Sequence, residues 1–233
     1  MSKIIIFGNQ KGGVGKTTLT CLCANALSQA PFNYKVCVID NDKQKSIAEA
    51  RNFDIEDRTA AAVPYTVLEF EIEELQQQIQ ALDKAYDLIF IDTAGKLDTQ
   101  AAIENQEITK AIMYCDYLFL PFRAGNFNLD ASLQYLKFLL EVQEVRSDSP
   151  RQLKIMGFVN MYRVRSKVND LLISEIKHLK EGGVSFMVNR LGNYTIFEDV
   201  DTLNSMYDED TNHTGKLNFT VWLNEFIKLI SNG

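Results

Sequence analysis

The sequence predicts an α/β fold, a doubly wound and mostly parallel β-sheet with helices on both faces, in one domain over residues 1–233. Three observations carry this. Short β-branched or aromatic runs alternate with longer stretches of helical period. Several runs are apolar on both faces, as strands covered by helices on both sides must be. A glycine-rich segment separates the first run from the first helical stretch, the strand–turn–helix grammar of such sheets.

Taken in order, Lys3 to Gly8 (KIIIFG) reads as the first strand and about Lys16 to Ala30 as the first helix. Further strands are expected at Lys35 to Ile39, Pro64 to Leu68, Asp87 to Asp92, Tyr117 to Phe122, Leu153 to Asn160 and Val184 to Val188. Between them, Ile72, Leu75, Ile79 and Leu82 form one apolar helix stripe, and Leu129, Leu133, Leu136 and Leu140 another. A last stripe, Phe219, Trp222, Leu223, Phe226, Ile227 and Ile230, has only Lys228 and Glu225 as its charges. It predicts a helix docked on the sheet, because a membrane-surface helix needs a basic polar face. The stretch from Phe197 to Asp210, with Glu198, Asp199, Asp201, Asp208, Glu209 and Asp210 and no basic residue, reads as a surface loop.

Composition narrows the classes of function. A 46% hydrophobic, 24% charged chain excludes disorder and fibrous repeats, and no run approaches the roughly 20 apolar residues of a membrane span. The opening MSKIIIFGNQKGG lacks the layout of a signal peptide, so the chain is expected in the cytoplasm. Cys21, Cys23, Cys37 and Cys115 sit in apolar segments without paired metal spacing and read as buried thiols. With 24 basic against 31 acidic residues the net charge is −7. A nucleic-acid surface must therefore be a local patch or arise by assembly.

The sharpest signal follows the first strand: Gln10-Lys11-Gly12-Gly13-Val14-Gly15-Lys16-Thr17-Thr18, then a helix. Glycines let successive N–H groups turn toward a phosphate chain, and the helix directs its positive end there. Lys16 would reach the β- and γ-phosphates, and the Thr17 hydroxyl would hold Mg²⁺. The pattern G-x-x-x-x-G-K-[ST] lacks its first glycine, where Gln10 stands, and gains a second lysine, Lys11. Since Lys16 already neutralises the subunit's own nucleotide, Lys11 at the outer lip is placed to touch one held by a second copy. Asp92 ends the apolar run DLIFID and reads as a Walker B acid holding Mg²⁺ through water, with Thr93 to Gly95 as a turn able to sense the γ-phosphate.

With KGGVGKTT at Lys11 to Thr18, the sequence closely resembles the ParA/MinD family of P-loop ATPases, which carry a deviant Walker A loop. The resemblance runs from Lys3 to about Phe122, less clearly to Asn189-Arg190, and is greatest to short ParA proteins that partition plasmids and other mobile elements. It implies a three-layer P-loop NTPase fold and an ATP-sandwich homodimer requiring Mg²⁺, with slow hydrolysis stimulated by a ParB-like adaptor. In the family's switch I pattern D-x-D-P-Q, the acids fall on Asp40, near the Mg²⁺ shell, and Asp42, orienting the attacking water. Lys43 replaces the proline of that pattern. DTAG at Asp92 to Gly95 is similar to the signal-recognition GTPases, but no guanine-reading N/T-K-x-D element is found, so ATP is expected. For Asp40, Asp42 and Asp92 the structural alternative is a helix cap or turn. Asn160 reads either as an adenine contact or as a turn residue.

ParA-type dimers ride on nonspecific DNA through basic side chains, and the matching candidates are Arg163, Arg165, Lys167 and Arg190; a solvated basic face is the alternative. A P-loop starting at residue 10 leaves no N-terminal helix-turn-helix, so operator reading is expected from another protein and nucleoid association from DNA binding alone. The competing readings are a MinD-like membrane-associated ATPase using the C-terminal helix and a metabolic enzyme on the same scaffold.

Overall fold

The computed structural model describes residues 1–42, 44–57, 62–93, 102–198 and 200–231. Lys43, Ala94 and Gly95 of the expected sensing turn and Asp199 of the acidic stretch lie outside the described residues. Six strands, β1 Lys3–Phe7, β2 Val36–Asp40, β3 Thr66–Glu69, β4 Leu88–Asp92, β5 Tyr117–Phe122 and β6 Lys154–Val159, pair in parallel in the order β3-β2-β4-β1-β5-β6. The helices are α1 Lys16–Ser28, α2 Ser46–Asp57, α3 Ile72–Ala85, α4 Ala102–Tyr114, α5 Asn126–Val145, α6 Val168–Glu181 and α7 Thr214–Ser231. This is the doubly wound α/β sheet read from the alternation of periods.

Successive strand residues point to opposite faces, so each apolar run divides between two cores. Ile4, Ile6, Ile39, Ile89, Ile91 and Leu118 pack in one core with Leu75 of α3, Ile112 of α4, Leu139 of α5 and Leu172 of α6. Ile5, Phe7, Val38, Phe90 and Phe119 pack in the other with Leu22 of α1, Ile47 of α2 and Trp222 and Phe226 of α7. α3 opens on a capping box, Glu71 and Glu74 each accepting the other's backbone N–H, and carries Lys84 in its last turn. β3 starts two residues after Pro64, which cannot donate to a ladder. The four cysteines are buried and free.

Two expectations need correction. Val184 to Val188 does not form a seventh strand. Gly157 donates to the Ser185 carbonyl and accepts from the Met187 N–H, each at 2.8 Å, giving one isolated bridge. The next two N–H groups, of Val188 and Asn189, turn away to the Glu225 carboxylate at 2.7 and 2.8 Å, which ends the ladder. In α5 the buried face is centred on Ser132, Tyr135 and Leu139, and Leu140 at the stripe's margin is 41% exposed. A stripe drawn through leucines alone missed the tyrosine and serine that mark the centre. The described residues of the acidic segment form a loop, as expected, tied to the fold where Thr202 and Leu203 are buried and Arg51 donates to the Thr202 hydroxyl and carbonyl.

α7 docks as expected, with Phe219, Trp222, Leu223 and Phe226 fully buried against the sheet. Among the described residues no helix is long and apolar enough to cross a membrane.

Candidate functional site

In an open parallel sheet, ligands bind beyond the carboxyl ends of the strands where the order reverses. Here that point is β1, between β4 and β5, and Gly8 to Gly15 crosses it into α1. Gly13 (φ +71°) and Gly15 (φ +90°) hold left-handed conformations open to few other residues. A Cβ on Gly15 would also stand 2.9 Å from the Asn160 amide nitrogen, which donates to the Val14 carbonyl at 2.8 Å. Lys11, Gly12 and Gly13 are exposed, Val14 and Lys16 buried.

Two groups that sequence reading missed brace this loop. Arg123, just past β5, donates to the Gly13 carbonyl at 3.1 Å. Asn9 is buried; its side-chain carbonyl accepts the Lys11 N–H at 3.0 Å, and its amide donates to the Pro121 carbonyl and the Ser132 hydroxyl at 2.9 and 2.8 Å. A signal existed for both. Asn two residues before a loop N–H is the Asx-turn spacing, and a residue following a strand beside β1 falls at the ligand end of the sheet.

Asp40 and Asp92 end neighbouring strands in register and are both buried. Asp92 Oδ2 accepts from the Thr17 hydroxyl at 2.8 Å. Asp40 Oδ2 accepts the Ile47 and Ala48 N–H groups, both at 3.0 Å, and so caps α2. The remaining Oδ1 atoms of both acids are buried without a partner among the described residues. Asp40 thus fills its structural alternative with one oxygen and leaves the other free for a ligand. Two orphaned carboxylate oxygens beside a threonine hydroxyl are the hard donors a Mg²⁺ ion takes, so these residues fit the expected metal. Asp42 lies on the rim, half-buried, with Oδ1 accepting the Gln44 N–H at 3.0 Å.

Burial dominates the protonation of the site. It pushes Asp92 up to about 7, against the hydrogen bond from Thr17 that lowers it, with Asp40 adding to the rise. It also raises Asp40, and it lowers Lys16 against the pull of Asp92 and Asp42. For Asp92 the sign is definite. Between its ordinary value of 3.8 and about 7 the native state binds more protons than the unfolded chain, so stability falls as pH rises through that window. In ligand-free protein, calorimetry should show Asp92→Asn gaining melting temperature relative to the parent on going from pH 5 to pH 7.5; a constant difference would remove Asp92 as the titrating group.

Beside the loop lies a pocket lined by Gly15, Thr18, Leu22, Asn160, Tyr194 and Glu198 among others. Asn160 therefore borders this pocket and braces the loop at once. Of the basic candidates, Arg165, Lys167 and Arg190 line one open groove with Tyr162, on whose ring the Arg190 guanidinium stacks at 4.9 Å. The two segments are pinned by the Tyr162 N–H to the Leu191 carbonyl and the Asn193 N–H to the Tyr162 carbonyl, each at 2.9 Å. Arg163 is exposed but does not line that groove.

The model of the CobQ/CobB/MinD/ParA nucleotide binding domain matches residues 5–201. An uncharacterized protein of Methanocaldococcus jannaschii is 24% identical, the match covering 76% of this chain and 80% of that protein. A plasmid partition protein from Borrelia burgdorferi bound to AMPPNP superposes with a TM-score of 0.67 at 20% identity, covering 98% of this chain and 99% of that one. The MinD cell division protein of Aquifex aeolicus gives 0.66 at 15% identity over 100% of this chain and 98% of that one. At these identities the superpositions establish the shared fold.

Proposed function

The chain belongs to the CobQ/CobB/MinD/ParA nucleotide-binding family, and on that premise we propose that it is a partition-type ATPase whose Mg·ATP-bound homodimer binds DNA without sequence preference. The observation that carries this reading is the convergence of a double-lysine phosphate loop with Thr17, Asp40 and Asp92 at the switch point of the sheet. Lys16 Nζ, desolvated by burial, neutralises charge on the β- and γ-phosphates. Thr17, Asp40 and Asp92 hold Mg²⁺, which supplies charge neutralisation of the phosphates when bound. Asp42, on the rim and beyond the buried acids, orients the attacking water. Lys11 completes the charge stabilisation of the nucleotide in the opposing subunit, so the dimer lasts until hydrolysis. The pocket beside Asn160 takes the base.

The groove of Arg165, Lys167 and Arg190 is the DNA surface, and dimerisation doubles it, which reconciles phosphate binding with a net charge of −7. Cargo specificity then comes from a ParB-like adaptor that stimulates slow hydrolysis. Against the MinD-like reading stands α7, whose apolar stripe is used up in the core rather than offered to a lipid surface.

The test is fluorescence anisotropy of a random duplex titrated with Asp42→Ala protein, which binds ATP without turning it over. Binding in Mg·ATP but not Mg·ADP, weakened by salt and lost in the Arg165→Glu/Arg190→Glu variant, is the expected outcome. Equal affinity in both nucleotides, or none in either, would overturn the proposal.

A further inference from the structure

Asn9 is built into the fold in a way that neither nucleotide binding nor core packing requires. All its amide bonds are internal and the residue is only 2% exposed, so it makes no direct contact with solvent-side ligands. Its carbonyl oxygen accepts the N–H of Lys11, whose side chain lies at the exposed lip. Its amide is held from two elements, by the Pro121 carbonyl in β5 and by the Ser132 hydroxyl in α5, which in turn donates to the Asn128 carbonyl at 2.9 Å. Gln10 adds a second tie to α5, donating to Gln134 at 3.1 Å. The lip of the loop is therefore referenced to β5 and α5, while Lys16 and Thr17 belong to α1.

We propose that Asn9 is a positioning residue for Lys11, setting where the outer lysine projects without contributing to the grip of Lys16 and Thr17 on nucleotide. The inference rests on the role given to Lys11 above. A buried, fully satisfied amide on the N–H of an exposed lysine restricts where that lysine's backbone sits, and small misplacements of a charge-stabilising group cost rate more than binding. The consequence is a split between turnover and affinity. Removing Asn9 slows hydrolysis and weakens ATP-dependent dimerisation while each monomer still binds nucleotide.

The experiment is a double-mutant cycle of Asn9→Ala with Lys11→Ala, reading kcat, nucleotide affinity and dimerisation by light scattering. Asn9→Ala alone is expected to lower kcat by about tenfold or more with nucleotide affinity changed less than about threefold, and to add nothing in the Lys11→Ala background. Asn9→Ser, which keeps an oxygen at the Asx-turn spacing, should recover part of the loss. Hydrogen exchange supplies a readout independent of activity: the Lys11 amide should lose protection in Asn9→Ala and regain part of it in Asn9→Ser. Additive losses, or affinity falling in step with kcat, would overturn the positioning role. If Lys11→Ala itself leaves dimerisation and turnover at parent levels, the role of Lys11 fails first and the inference falls with it.

Discussion

Lys16→Ala is expected to weaken ATP binding by about a hundredfold or more, roughly 2.7 kcal/mol, with the fold intact. The side chain is buried, at 8% exposure, at the first position of α1, and its ammonium is desolvated with two acids pulling on it. In such a site a phosphate–ammonium contact is far less screened than in water. Truncation removes that contact and also leaves Asp92 without the cation that lowers its proton affinity, so the empty site retains its proton more firmly. Lys16→Arg should not restore binding, because a forked guanidinium does not fit a space shaped around a point charge. Isothermal titration with a non-hydrolysable ATP analogue checks this, and an affinity within about threefold of the parent would end the phosphate role of Lys16.

Trp222→Ala should cost about 3–5 kcal/mol of stability, the largest effect expected of a single core truncation here. The indole is fully buried and lies 5.2 Å from the ring of Phe158, 5.5 Å from Phe226 and 6.3 Å from Phe7, so it joins α7 to strands β1 and β6. Its N–H has no partner among the described residues, so the loss is one of packing and apolar burial. Urea denaturation followed by far-ultraviolet circular dichroism is the appropriate measurement, since the chain's one tryptophan is the residue removed. A loss below about 1 kcal/mol would mean that α7 is not part of the cooperative core.

The fold was legible because its information is local and periodic. Runs such as DLIFID and YLFLPF declare both faces buried, and the glycine-rich turn between strand and helix marks the switch point. The phosphate loop and its two buried acids were legible for the same reason, since each stands at the end of a strand. What was hidden depends on contacts distant in sequence. That Val184 to Val188 fails as a strand is decided by Glu225, 37 residues beyond Val188, capturing the N–H groups of Val188 and of Asn189 that follows it. That Arg123 reaches the loop, and that Asn9 is anchored on Pro121, follows from β5 lying beside β1, a pairing no local pattern encodes. Arg190 was singled out as a basic residue matching the resemblance, while the Tyr162 ring beneath it became visible only once the two segments were joined.

The same segment that Glu225 diverts also covers part of one margin of the sheet. β6 is the last full strand on its side of the sheet, and such margins recruit foreign strands. The outward N–H and carbonyl of Gly157 and the carbonyl of Val159 are already spent on Ser185, Met187 and Leu191, and the segment spending them gives its N–H groups at Val188 and Asn189 to Glu225 of α7. A foreign strand can therefore pair with β6 at Gly157 only by first displacing Ser185 and Met187.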